Sequence, residues 1–190
     1  MRLPTDEQLA LETIAAAVDA GITVFDTARA YEGNESLLAL ALRGRPEARV
    51  VTKGGMARTD GGWTPDGRAR SIRADCEASI AALGGRAIDL YLLHAPDPRV
   101  EWTTSVRALA RLVDEGLVRR VGVCNVNRTQ LDAALEHAPI AAVQVALSRF
   151  DDGALRGGLV DGVQHPLQGP LRPVEIRRDL DGGGPHNPVL

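Results

Sequence analysis

The chain has 190 residues, 44% hydrophobic and 25% charged, with a formal net charge of −3. That is enough for one globular domain with a sizeable core, and it excludes the basic field that nucleic acid or an anionic membrane would require. The two cysteines, Cys76 and Cys124, lie far apart without Cys-x-x-Cys spacing, which argues against a disulfide framework or a zinc site.

In chain order, residues 5–20 place Leu9, Leu11, Ile14, Ala15 and Val18 at helical spacing, with Thr5 as N-cap and Gly21 as stop. This N-terminus is acidic and amphipathic, unlike a signal peptide, and no run of about 18 apolar residues predicts a membrane span. The expected location is the cytoplasm. Residues 22–25 (ITVF) read as a strand, and 34–43 as a helix capped by Asn34. Residues 48–53 (ARVVTK) are a second strand, and 54–67 a glycine-rich loop. A helix over 69–83 and a strand over 88–94 (IDLYLLH) follow. Helices are expected at 101–116 and at 127–138, capped near Asn127, and strands at 118–125 and 140–146. The strands are mostly continuous apolar runs rather than alternating ones, as burial on both faces requires. Five strands interleaved with five helices predict parallel βα units. From residue 151 the character changes: the last stretch holds 8 of the 20 glycines and 5 of the 11 prolines. Residues 1–150 are therefore expected to form the folded domain and 151–190 an irregular or disordered tail.

Three successive strands end on a functional residue: Asp26 after TVF, Lys53 after VVT and His94 after YLL, with Tyr31 just beyond Asp26. In parallel α/β folds the C-terminal strand ends share one face, where active sites sit, so these four can converge. A tyrosine titrates near 10 in water, and a nearby ammonium favours its phenolate. An aspartate beside the lysine holds that ammonium in place, and a histidine opposite can orient a carbonyl oxygen or help relay a proton. Such a group suits protonation of an oxygen as hydride arrives at carbon. The next two strands add Asn125 and Gln144, carboxamides suited to bonding another amide. Each residue alone has a plainer reading: turn residue, solvated strand end, loop aromatic, satisfied rim histidine. Cys76 reads as core packing, and Arg43, Arg45 and Arg49 as a solvated turn. Trp63 and Trp102 are pocket walls or ordinary loop packing. His137, His165 and His186 share no ligand spacing, so no metal is expected, and the glycines at 182–184 lack the strand and helix of a dinucleotide fingerprint.

The pieces FDTARAY with GNES, VTKGG, IDLYLLHAPDP, GLVRRVGVCNVNRTQLDAAL and AAVQVALS resemble the aldo/keto reductase family, in that family's order over roughly residues 5–150. The resemblance implies a TIM barrel, here a partial (β/α)8 barrel of about five βα units. It also implies NADPH-dependent reduction of an aldehyde or ketone. Tyr31 would be the general acid, Lys53 and Asp26 would tune it, and His94 would orient the carbonyl. Asn125 and Gln144 match positions that hold the nicotinamide carboxamide, and Cys124 stands where the family usually has serine. A complete barrel takes about 250 residues. The family's first strand and the strands beyond residue 150, with its 2′-phosphate site, have no counterpart, so the chain reads as truncated at both ends. Residues 164–173 only echo a later motif. The expected partners are a small carbonyl substrate and, through open barrel edges, another copy of the chain. An inactive remnant and a non-catalytic partner subunit are the alternatives.

Overall fold

The structure, a computed structural model, describes residues 7–60, 62–147 and 153–159. The proposed cap Thr5, His165, His186, the 164–173 echo, the 182–184 glycines and most of the expected tail lie outside the described residues. The elements are α1 (Glu7–Asp19), β1 (Val24–Asp26), α2 (Asn34–Ala41), β2 (Arg49–Gly54), β3 (Met56–Thr59), β4 (Gly62–Pro65) and α3 (Ala69–Ala82). Then come β5 (Leu90–Leu93), α4 (Trp102–Asp114), β6 (Val121–Cys124), α5 (Arg128–Leu135), β7 (Ile140–Gln144) and α6 (Gly153–Arg156).

Five strands form one parallel sheet in the order β1-β2-β5-β6-β7. Spatial order follows chain order, and a helix lies between each pair of neighbours. A doubly wound sheet would reverse direction at a switch point. A sheet that keeps adding strands on one side is a sector of a (β/α)8 barrel.

The apolar runs explain the layering. Along a strand successive side chains face opposite sides, so Val50, Tyr91, Leu93, Val121, Val123 and Val143 point outward. There they pack with Ile72 and Cys76 of α3 and Leu109 and Leu112 of α4. Leu109 and Ile72 are fully buried, each burial being worth about 1.5–3 kcal/mol relative to exposure. The alternate residues Val51, Leu92 and Cys124 make a small cluster on the inner face. Gly122 lies between them where β6 and β7 shift register. A Cβ there would come 2.4 Å from the Ala142 carbonyl oxygen and 2.6 Å from Leu92 Cδ1's sister methyl Cδ2. Backbone cannot step aside, so Gly122→Ala is expected to cost roughly 1–3 kcal/mol or more, read as a lower urea midpoint at unchanged slope.

Three expectations change. The glycine-rich loop at 54–67 contains an antiparallel ribbon, β3 with β4, paired from Met56–Pro65 to Thr59–Gly62. Helix α2 is capped by Gly33 at φ 75°, with Asn34 its first helical residue. The cap there is a main-chain turn, Leu37 N–H to Gly33 O at 3.1 Å, and glycine adopts that left-handed φ without strain. Within the stretch expected to be irregular, α6 forms one helical turn and Leu159 joins the core. Asn127 does cap α5, in a reciprocal capping box with Gln130. No described helix is long and apolar enough to cross a membrane.

Candidate active site

The strand ends gather on one rim. Lys53, at the end of β2, donates to Asp26 Oδ2 at 2.6 Å and to the Thr27 carbonyl at 3.0 Å. The two charged residues are 2% and 5% exposed. Removing two such charges from water costs several kcal/mol each, and only close geometry with further hydrogen bonds offsets it. Gln144, at the end of β7, adds a longer contact from Nε2 to Asp26 Oδ1 at 3.5 Å.

Tyr31 reaches this pair because the ladder continues past β1. Thr27 N–H bonds the Val51 carbonyl at 2.8 Å and Arg29 N–H the Lys53 carbonyl at 2.9 Å. A turn then closes with Tyr31 N–H on the Ala28 carbonyl at 2.9 Å. The phenol ring comes to rest with Lys53 Nζ 5.3 Å from its centroid. His94 follows β5; its N–H bonds the Gly54 carbonyl at 2.9 Å. Its imidazole meets the Tyr31 ring edge-on, with centroids 5.9 Å apart and planes at 87°. Burial, reinforced by the Lys53 charge, pushes the His94 pKa down to about 4, so the ring is neutral at pH 7. Its Nδ1 is buried without a hydrogen-bond partner.

Asn125 is the one described non-glycine residue with a positive φ, 55°, a conformation asparagine tolerates. That bend after β6 lets its Nδ2 donate to the His94 carbonyl at 3.0 Å. Cys124 donates its thiol to Gln144 Oε1 at 3.6 Å, and burial pushes the thiol pKa up to about 12. It is therefore a hydrogen-bond donor here and not a thiolate. All seven residues singled out in the sequence thus meet at one rim, linked side chain to side chain or through a main-chain carbonyl.

The tryptophans divide. Trp102 donates from Nε1 to the Gln130 carbonyl at 2.9 Å and packs α4 on α5, a structural contact. Trp63 sits on β4, partly exposed, under the Arg58 guanidinium at 5.5 Å. Arg58 also pairs with Glu32, the neighbour of Tyr31, so the ribbon is tied to the Tyr31 loop. Cys76 is fully buried in the core, and Arg45 pairs with Asp19 at 2.7 Å on the surface. Two further buried carboxylates on this face, Asp66 directly after β4 and Asp97 beyond the end of β5, do not follow an apolar run. Their signal is a repeated spelling, Pro-Asp-x-Arg, at 65–68 and 96–99. Among the described residues no group of three or more His, Cys, Asp or Glu side chains could hold a metal ion.

Comparison with known proteins gives consistent likenesses. The aldo-keto reductase YhdN of Bacillus subtilis is 32% identical over 152 residues, which are 77% of this chain and 46% of that protein. The structure of a glycerol dehydrogenase from Gluconobacter oxydans matches with a TM-score of 0.75 at 33% identity, covering 81% of this chain and 50% of that one. An aldo/keto reductase from Klebsiella pneumoniae, in complex with NADP and acetate, matches with a TM-score of 0.68 at 26% identity, covering 85% of this chain and 57% of that one. The chain spans about half the length of the relatives it matches. The model of the aldo/keto reductase family matches residues 2–156, and the chain belongs to that family.

Proposed function

We propose that the chain carries the catalytic half of an NAD(P)H-dependent reductase site that converts an aldehyde or ketone to an alcohol. The observation that carries this is the buried Lys53–Asp26 pair at 2.6 Å with the Lys53 ammonium beside the Tyr31 ring. When bound, a reduced nicotinamide supplies the hydride that reaches the carbonyl carbon. Tyr31 gives its phenolic proton to the carbonyl oxygen, and the Lys53 charge stabilises the negative charge left on the phenol oxygen. Water restores the proton afterwards.

Magnitudes decide between Tyr31 and His94 as the acid. With a pKa of about 4, only about one imidazole in a thousand is protonated at pH 7. His94 therefore acts as a neutral hydrogen-bonding group that orients the carbonyl, and Tyr31 supplies the proton. A primary carboxamide offers one acceptor and two donors. Asn125 keeps its side-chain oxygen, and Gln144 keeps a second amide hydrogen and a second oxygen lone pair, so the two fit that group. The likeness to a reductase crystallised with NADP supports the same cofactor.

The test is a fluorescence titration of NADPH into the whole chain, followed by carbonyl reduction assays with a Tyr31→Phe variant beside it. Saturable binding, with turnover reduced roughly 10²- to 10⁴-fold in the variant, is the expected result. Absence of binding at millimolar cofactor would leave the inactive remnant or the partner subunit as the better reading.

A further inference from the structure

Two turns on the site-bearing face are built alike. Pro65-Asp66-Gly67-Arg68 leads into α3, and Pro96-Asp97-Pro98-Arg99 carries the chain from His94 toward α4. In each, the aspartate receives the arginine two residues on. Arg68 Nε lies 2.7 Å from Asp66 Oδ1, and Arg99 Nε lies 2.9 Å from Asp97 Oδ1. A second guanidinium nitrogen reaches the other oxygen of each carboxylate.

The turns also hold each other. Gly67 N–H donates to Asp97 Oδ2 at 3.1 Å, Arg99 Nη2 donates to the Pro65 carbonyl, and Ser105 of α4 donates to the Gly67 carbonyl at 2.6 Å. Both carboxylates are buried. The bond from Arg68 holds Asp66 well below the usual carboxylate range, and the bond from Arg99 lowers Asp97. The fit is close: a Cβ on Gly67 would lie 2.7 Å from Ser105 Oγ and 3.0 Å from Asp97 Cβ. Both guanidiniums are half or more exposed, and ion pairs of that kind add little stability. What such a clamp supplies is position.

The chain it holds leads directly from His94. Only Ala95 and Pro96 separate His94 from Asp97. The His94 main chain is held by the Gly54 carbonyl on one side and the Asn125 amide on the other. Asp97 is the next anchored residue. The imidazole itself has an edge-on contact with Tyr31 and no partner for Nδ1. The chain leaving His94 is next fixed at Asp97.

We propose that Asp97, clamped by Arg99 and by the Gly67 amide of the matching turn, is a positioning residue that fixes the chain leaving β5 and so sets the orientation and burial of the His94 imidazole. The proposal rests on the reading of His94 as the neutral group that orients a carbonyl.

The experiment is an NMR titration of the His94 imidazole in the whole chain without cofactor, its signal assigned with a His94→Gln variant. The titratable and charged groups facing this ring are Lys53 and Tyr31, and both are left in place. Two variants are compared with the unaltered chain: Asp97→Asn, which removes the charge that Arg99 grips, and Arg99→Gln, a substitution at an exposed side chain, with the fold checked by its melting temperature. In the unaltered chain the ring stays neutral down to about pH 4. Both variants are expected to admit water and move the midpoint at least about one unit toward the ordinary value near 6.5. A midpoint unmoved in the folded Arg99→Gln chain, whatever happens to its melting temperature, would make the clamp purely structural and overturn the proposal. Because the readout needs neither cofactor nor turnover, a chain that binds no NADPH but shows the shift would sink the reductase reading and leave the clamp standing.

Discussion

Lys53→Met alone is expected to destabilise the chain by about 3–5 kcal/mol, and Asp26→Leu alone by a similar amount. Each leaves one buried charge without its counter-ion. Asp26 would lose the ammonium at 2.6 Å, and Lys53 would lose the carboxylate while retaining the Thr27 carbonyl at 3.0 Å. The double variant should behave differently. With both charges gone and two apolar side chains beside Val51 and Leu92, the desolvation cost disappears. Stability is then expected to return to the wild-type value or to exceed it by about 1–4 kcal/mol. Urea unfolding of the four chains gives the coupling directly. If the single substitutions cost under about 1 kcal/mol, water reaches the pair and the buried geometry is wrong. If the double variant stays as unstable as the singles, the pair is structural in its own right. The expected pattern is that of a pair kept for chemistry at the expense of stability, since the repaired double variant would also lack the cation beside Tyr31.

Much of this was legible in the sequence because burial leaves a mark. VVT, LYLL and VGVC read as strands because both of their faces are covered, which demands unbroken apolar runs. Helix α5 was legible from its cap, since Asn127 and Gln130 satisfy each other's main-chain donors. The β3–β4 ribbon leaves no such mark. Its residues are half-buried or exposed on both faces, so neither alternation nor an apolar run appears, and glycines within it suggest only a loop. Its place depends on the Arg58–Glu32 pair and the Arg58–Trp63 contact, neither of which has a sequence signature. The N-terminus of α2 misleads for a local reason. Asparagine is a favoured cap, yet Gly33 before it takes the left-handed turn and moves the cap back one residue.

At the site, the same distinction separates what the sequence shows from what it hides. Strand-end polar residues stand out against apolar runs, so Asp26, Lys53 and His94 could be found from their positions alone. Contacts between distant strands could not: Gln144 touches Asp26 across 118 residues of chain. Asp97 is hidden for another reason. Its partners are a main-chain amide and a neighbouring arginine, and nothing in its own segment says that a second turn will lie against it.

His94 should make the chain progressively less stable as the pH falls from about 6.5 to about 4. Its folded-state pKa of about 4 lies below the ordinary 6.5, so in that interval the unfolded chain binds a proton that the folded chain refuses. Stability must then rise with pH across the interval, and above it the term no longer changes. The gap corresponds to about 3 kcal/mol, a full-sized effect because the ring is only 7% exposed. The term is isolated by difference. Asp66 and Asp97 also have depressed pKa values, but their stabilisation is present above the usual carboxylate range and is lost only at lower pH. They are unchanged in a His94→Gln chain, so subtracting its urea stability from that of the unaltered chain at each pH cancels them. The difference is expected to slope upward between about pH 4 and 6.5 and then flatten. A flat difference throughout would mean that the imidazole is hydrated and charges normally. His94 would then be largely protonated by pH 5 and could itself serve as the acid, and Tyr31 would lose its claim to that role.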